Sequence, residues 1–260
     1  MSRSTLAVAL RLRVTTIAAT GAGIIAVIVM LGALYPAVGD AIGTLDVPRG
    51  VKELLGGADY GTLAGWMRSE IGSVYGPLVV GAIGIAASVG TLAGEEESGE
   101  LALTLAHPVS RRALLLGKSA AVVLQVLALA AATLAGLAAG VAVGGGGLSL
   151  AHMTALCVHL AAFGMCIAML ALMLAAATGR RTVASGGAAA VGLVSYLVNG
   201  FAPLVSGLHW LTYLSPFSYY ARRDPIGRGV DVGDVAVLVG AALVLVVVAI
   251  VVFDRRDLRR

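Results

Sequence analysis

Three adjacent carboxylates, Glu95, Glu96 and Glu97, stand with Glu100 in a sequence that otherwise holds few charges. A short apolar run follows, then His107-Pro108, then Arg111, Arg112 and Lys118. Side chains of this kind in this order suit docking better than bond-breaking. The spacing predicts a helix over 95–107 between two membrane spans. Acids at its start complement the positive end of a helix dipole. Leu101 and Leu105 fall one turn apart on one face. Pro108 ends the helix by disfavouring helical geometry at His107. Arg111, Arg112 and Lys118 open the next span, where long basic side chains reach back to lipid headgroups. Glu96 and Glu100, four apart, share a face and repel by a few tenths of a kcal/mol. A solvated loop tolerates that repulsion, and a basic partner would reward it.

Other candidate chemistry fails on spacing. Gly117-Lys118-Ser119 resembles the end of a phosphate-binding loop, but Arg112 stands where its first glycine belongs. Gly94 and Gly99 have the loop's spacing, yet Glu100 replaces the lysine. Ser185 lacks a histidine in the following span to activate it. Glu96-Glu97 has no intramembrane histidine–carboxylate cluster with which to hold a metal. Cys157 and Cys166 point in nearly opposite directions on a helix, which argues against a bridge and leaves two small apolar fillers. No catalytic, cofactor or metal site is therefore expected.

The elements that must hold the acidic stretch are membrane helices. Of 260 residues, 59% are hydrophobic and 12% charged, with 35 glycines, the profile of an all-α polytopic membrane protein forming one transmembrane domain over 1–260. The net charge of +4 is spread over loops without an aromatic–basic platform, so nucleic acid is not an expected partner. Arg3, Arg11 and Arg13 mark a short interfacial helix at the start. A first span over 14–35 follows, too long for a cleaved signal peptide and ending at Tyr35-Pro36. The mixed-charge loop after it has weak helical periodicity at Val51–Leu55 and Leu63–Ile71. Short surface helices are expected there, with Trp66 and Tyr75 placed like an aromatic belt. The second span covers 72–94, and its glycines allow close helix approach.

From Ser119 to Gly179 there is no Asp, Glu, Lys or Arg, room for two spans of ~20 residues around the Gly144–Gly147 turn. These are spans three, 119–143, and four, 152–177. Gly136, Gly140 and Gly144 form a ridge of small residues. Gln125 and His159 are the polar side chains to watch, the histidine most simply hydrogen-bonded to a neighbouring helix. After the basic turn at Arg180-Arg181 comes a fifth span, 182–198. A re-entrant or interfacial hairpin then carries Trp210, Tyr213, Pro216 and Phe217, in a segment holding six of the chain's thirteen aromatics. The sixth span is 235–253, before the basic tail at Arg255–Arg260. With six spans, twelve basic residues lie on the side of the termini and six on the other, so both termini and the acidic loop are expected in the cytoplasm.

The run E-x-x-G-E-L-x-L-x-L-x-x-P-V-S-R-R-x-L-L-L-G-K over Glu96–Lys118 closely resembles the loop after the second span of bacterial ABC-2-type (type V) exporter permeases. The C-terminal F-D-R-R-D-L and the L-S-P-F at Leu214–Phe217 are similar more weakly. That family usually has Thr where this chain has Glu100, a departure that adds charge. The resemblance implies a cytoplasmic coupling helix seated in a groove of a separate ATPase subunit. Glu95, Glu96, Glu97, Gly99, Glu100, Leu101, Leu105, Pro108 and Arg111 would form that interface. It also implies an extracellular hairpin between spans five and six. The expected function is the permease subunit of an exporter, working as a pair of permease copies or paralogues in the cell membrane. ATP and Mg would bind two cytoplasmic ABC ATPase subunits, and the permease itself would be no enzyme. Spans without ionisable groups in mid-membrane, His159 apart, fit a hydrophobic or amphipathic substrate. The alternative is a scaffold that transmits ATP-driven motion to an extracytoplasmic partner protein, and an intramembrane hydrolase is disfavoured.

Overall fold

A computed structural model describes residues 3–43, 60–106, 109–205 and 207–256. The surface helix expected at Val51–Leu55, the stop at His107-Pro108, the side chains of Arg3, Arg11 and Arg13, and the tail beyond Arg256 lie outside the described residues. Among the described residues six helices are long and apolar enough to cross a membrane: span 1 (Val14–Val38), span 2 (Leu63–Glu97), span 3 (Arg111–Val143), span 4 (Leu150–Thr178), span 5 (Arg181–Leu204) and span 6 (Val232–Arg255). Hydrocarbon offers no partner to a free backbone amide, so apolar sequence on this scale is stable as helix. Among the described residues there is no strand.

Span 4 is the axis. It is the most buried of the six and packs against spans 2, 3, 5 and 6. Its own residues explain why: Ala155, Ala168, Ala171, Ala175 and Ala176 are buried small side chains that let neighbours come close. Span 1 instead packs on span 3 along the glycine ridge. A Cβ at Gly140 would stand 2.7 Å from the Ile28 carbonyl, and one at Gly144 would stand 2.9 Å from that of Gly32. Caps set the ends. Ser110, Ser149 and Asp231 accept from the backbone N–H groups of Ala113, His152 and Asp234 to start spans 3, 4 and 6. Gly179, at φ +61°, closes span 4.

Three expectations change. The first helix runs unbroken from Arg3 to Gly43 with Pro36 inside it, so no separate surface helix precedes the span and the chain does not stop at Tyr35-Pro36. Pro36 cannot bond the carbonyl of Gly32, and that oxygen lies against Gly144 of the partner helix. Second, Leu63–Ile71 is no surface helix but the first turns of span 2. Trp66 is buried and donates its indole N–H to the Leu31 carbonyl at 3.2 Å, between the rings of Tyr35 and Tyr60. It joins spans 1 and 2, whereas Tyr75 is exposed. Span 2 also contains two π-helical stretches, Arg68–Tyr75 and Gly90–Gly94, on either side of the regular segment Gly76–Val89.

Third, 95–107 is not one helix. Glu95–Glu97 continues span 2, Gly99 turns the chain at φ +80°, and a separate short helix covers Glu100–Leu105. The acids therefore end a span instead of starting a helix, with only Glu100 in a first turn. The break also removes the shared face of Glu96 and Glu100.

Candidate functional site

Consecutive residues on a helix point ~100° apart, so the three glutamates leave the end of span 2 in three directions. Each meets a base on a different part of the chain. Glu95 pairs with Lys118 of span 3 at 2.5 Å, and Lys118 also donates to the Thr91 carbonyl. Glu96 pairs with Arg256, just past span 6, and its carboxylate lies against Gly179. Glu97 forms an ion pair with the Arg181 guanidinium at 3.2 Å and accepts from the Arg181 backbone N–H at 2.9 Å, so it also caps the start of span 5. Arg111 donates to the carbonyls of Phe253, at 3.1 Å, and Arg256, at 2.8 Å, satisfying the open C-terminus of span 6. Arg112 pairs with Asp254 at 2.6 Å.

The three glutamates thus form a hub of ion pairs that grades from buried Glu96 through half-buried Glu95 to exposed Glu97. Glu96 is buried, against the expectation that it stands free in a loop. Sequence shows that the chain has enough bases near span ends to meet three acids, but not which base meets which acid. In sequence Lys118 reads as a headgroup contact, Arg181 as part of a turn and Arg256 as part of the tail.

Beyond Gly99 the character reverses. Glu100 is exposed, and Leu103 is 71% exposed, while Leu101 is buried under the helix and Leu105 packs partly against the core. The short helix Glu100–Leu105 therefore offers a mixed acidic and apolar outer face anchored by Leu101. Among the nine residues expected to act together here, Glu95, Glu96 and Glu97 form the ion-pair hub, Arg111 binds the carbonyls at the end of span 6 beside it, and Glu100 faces outward. Pro108 lies outside the described residues.

The opposite end of the bundle carries the aromatic segment. Trp210 and Tyr213 are exposed on a 3-10 turn, His209–Leu214. Pro216 opens the helix Pro216–Ala221, capped by Ser215. Phe217 is not an interfacial aromatic: it is buried, with Tyr196 at 5.0 Å, Tyr220 at 5.3 Å and Phe163 at 5.6 Å between ring centres. Tyr220 is likewise buried, which raises the pKa of its phenol, and it donates to the Gly72 carbonyl.

Next to these rings lies a polar cluster that sequence reading missed. Arg222 holds the buried Asp234 in a two-pronged ion pair. Hydrogen bonding and charge from Asp234 raise its pKa further. Asp231 caps span 6, and the N–H of Asp234 holds its carboxyl below the usual carboxylate range. His159 Nε2 accepts from the Asp231 backbone N–H at 3.0 Å. That bond requires an unprotonated Nε2, and it ties the histidine to a neighbouring helix end. The only sequence signal was six charges packed into Arg222–Asp234, together with His159 in the middle of span 4.

Between spans 2 and 5 runs an apolar groove of about 330 Å³. Leu78, Gly81 and Ile85 form one wall, Ala189, Leu193 and Tyr196 the other, and Phe163 and Phe217 take part in its lining. Among the described residues no His, Cys, Asp and Glu group could hold a metal ion.

A family model described as ABC-2 family transporter protein matches residues 8–258. No curated protein matches the chain.

Proposed function

Because the chain belongs to the ABC-2 family of transporter proteins, we propose that it is the permease subunit of an ABC exporter. Family membership and six apolar helices make it a multi-pass membrane protein, and imply association with an ABC ATPase. The finer reading is ours. Both termini and the Glu95–Leu105 stretch face the cytoplasm, as the twelve-to-six bias of basic residues favours. ATP and Mg act on two ATPase subunits, and this chain hydrolyses nothing itself. It works with a second permease copy or paralogue.

The observation that carries the coupling role is the contrast within the acidic loop. Glu95–Glu97 are held by the chain's own bases, while Glu100–Leu105 is anchored by Leu101 and leaves Glu100 and Leu103 on the outside. A short helix anchored on one face and open on the other suits a groove in a motor subunit. The groove between spans 2 and 5 supports an apolar or amphipathic solute, and favours solute movement over purely mechanical action on an outside partner.

Co-expression with the cognate ATPase tests this. The two should co-purify from detergent, with ATP turnover only in the complex. Glu100→Lys should leave membrane expression normal and weaken ATPase retention at least about tenfold, because a like-charge contact suppresses association by up to several kcal/mol. Turnover by the isolated chain, or full retention by Glu100→Lys, would overturn the assignment.

A further inference from the structure

The three ion pairs of the hub differ in exposure, and the difference has a direction. Glu96 and Arg256 are 3% and 16% exposed, Glu95 and Lys118 are 20% and 11%, and Glu97 and Arg181 are 43% and 53%. Buried pairs are costly to break, since separation strands a charge away from water, whereas exposed ones exchange readily with solvent. Two of the three contacts are therefore fixtures and one is releasable.

The releasable one occupies a particular place. It joins the last turn of span 2 to the first turn of span 5, the two helices that wall the apolar groove. The groove's lining stops at Ile85 on one wall and Ala189 on the other. From there toward the acidic loop the helices close. Ala184 and Ala188 are fully buried, span 5 packs against the π-helical turn Gly90–Gly94, and the Arg181 guanidinium covers Gly94. A Cβ on Gly94 would stand 2.7 Å from Arg181 Nη2, so the glycine leaves the guanidinium its seat. Beyond the closed stretch, Glu97 ties the span ends together through side chain and backbone at once.

We propose that the Glu97–Arg181 pair is a latch that holds spans 2 and 5 shut below the groove, on the side of the acidic loop, while Glu95 and Glu96 stay fixed as its hinge. Opening the groove to that side separates Glu97 from Arg181 and parts the small-residue seam at Ala184 and Ala188. Lys118 and Arg256 keep the end of span 2 seated on spans 3 and 6 meanwhile. The short helix Glu100–Leu105 follows Glu97 directly across the Gly99 turn, so a push on it reaches the latch first. This proposal rests on the transport reading above for its purpose, but the latch itself can be tested without ATP or a substrate.

The reporter is Ala188→Cys in a full-length chain with Cys157 and Cys166 replaced by Ala, purified in lipid nanodiscs and exposed to a water-soluble maleimide. With the latch intact the thiol should react slowly. Glu97→Gln should raise its rate roughly three- to tenfold, the population shift that loss of one exposed charged contact gives a two-state equilibrium. Lys118→Gln, which releases only Glu95, should change the rate by less than about twofold if that contact is a fixture that does not gate the groove. The exchange Glu97→Arg with Arg181→Glu should restore slow labelling. Ala184→Cys, one turn nearer the latch, serves as a second reporter and must respond alike, which keeps the test usable if Ala188→Cys misfolds. Unchanged labelling in Glu97→Gln would overturn the latch, as would an equal rise in Lys118→Gln, which would mean general loosening. A latch that opens as described in a chain that retains no ATPase would refute the exporter reading alone.

Discussion

Both ends of the bundle bury carboxylates against arginines, and they do so in opposite ways. At the end bearing the acidic loop, three consecutive residues of span 2 reach bases on span 3, at the start of span 5 and just past span 6. At the other end, Arg222, Arg223, Asp231 and Asp234 close on one another within a single short stretch, with His159 of span 4 as their outside contact. A cluster that closes locally fixes one connection. A cluster whose members come from distant parts of the sequence ties several helices to one point, so displacement of that point is felt by all of them. The first kind is built to hold and the second to transmit.

The largest effect expected from this contrast is at Glu96. Glu96→Lys would set a second positive charge against Arg256 in a buried site and should cost about 4 kcal/mol or more, enough to remove most of a domain's stability. Glu100→Lys, on the exposed side of the Gly99 turn, should change stability by within about 0.5 kcal/mol. Thermal unfolding of the two variants in detergent compares them directly. Equal melting temperatures would erase the distinction between hub and docking face.

Arg222→Ala comes next, at roughly 2–3 kcal/mol, because it strands the buried Asp234 carboxylate while Arg222 itself is partly solvated. The sharper measurement is the double variant. Arg222→Ala with Asp234→Leu should recover most of that loss, since a buried pair with a holding role can be replaced by apolar groups at little cost. ATPase retention should be untouched in both. If Arg222→Ala spared stability and abolished coupling, the far cluster would be a transmitter as well.

The helices were legible in the sequence for a simple reason: charge-free apolar runs of span length have one stable fate in a bilayer. Their boundaries were less legible because a charge was read as an end. Span 3 begins at Arg111 and span 5 at Arg181, since each basic side chain there has a carboxylate or carbonyl to meet. Pro36 and Trp66 misled in the same way. In sequence Tyr35-Pro36 reads as the end of a span and Trp66 as part of an aromatic belt, but both are accommodated where span 1 meets its neighbours. The acidic stretch stood out by its charge, while its internal pairing was hidden by sequence separations that only folding closes.

A smaller effect probes a contact that involves neither charge cluster. Gly140→Ala would put a methyl group against the Ile28 carbonyl, backbone that cannot turn aside, and overpacking of this kind costs ~1–3 kcal/mol. Gly23→Ala, which meets nothing within 4 Å, should be neutral. The comparison checks whether span 1 is held by the glycine ridge. If Gly140→Ala melts with the parent, the spans are free to separate there and close approach is not what holds them.

The smallest expected effect belongs to Trp210, and the chain is well suited to measuring it because it has only two tryptophans. Trp66 is buried with its N–H bonded to the Leu31 carbonyl, whereas Trp210 is 57% exposed on a segment free of Asp, Glu, Lys and Arg from Thr182 to Ala221. An indole there touches little protein, so Trp210→Phe should shift stability in detergent by less than about 0.5 kcal/mol. Its environment in a membrane is the informative quantity. In a Trp66→Phe chain, Trp210 is the single emitter. If the hairpin rests at the headgroup boundary, where aromatic side chains concentrate, its fluorescence should be blue-shifted and strongly quenched by lipids brominated near the headgroup. Bromines at the chain ends should quench it less. Red-shifted emission that no brominated lipid quenches would put the hairpin in water, and the interfacial reading of this end would fall while the charge cluster beside it stood.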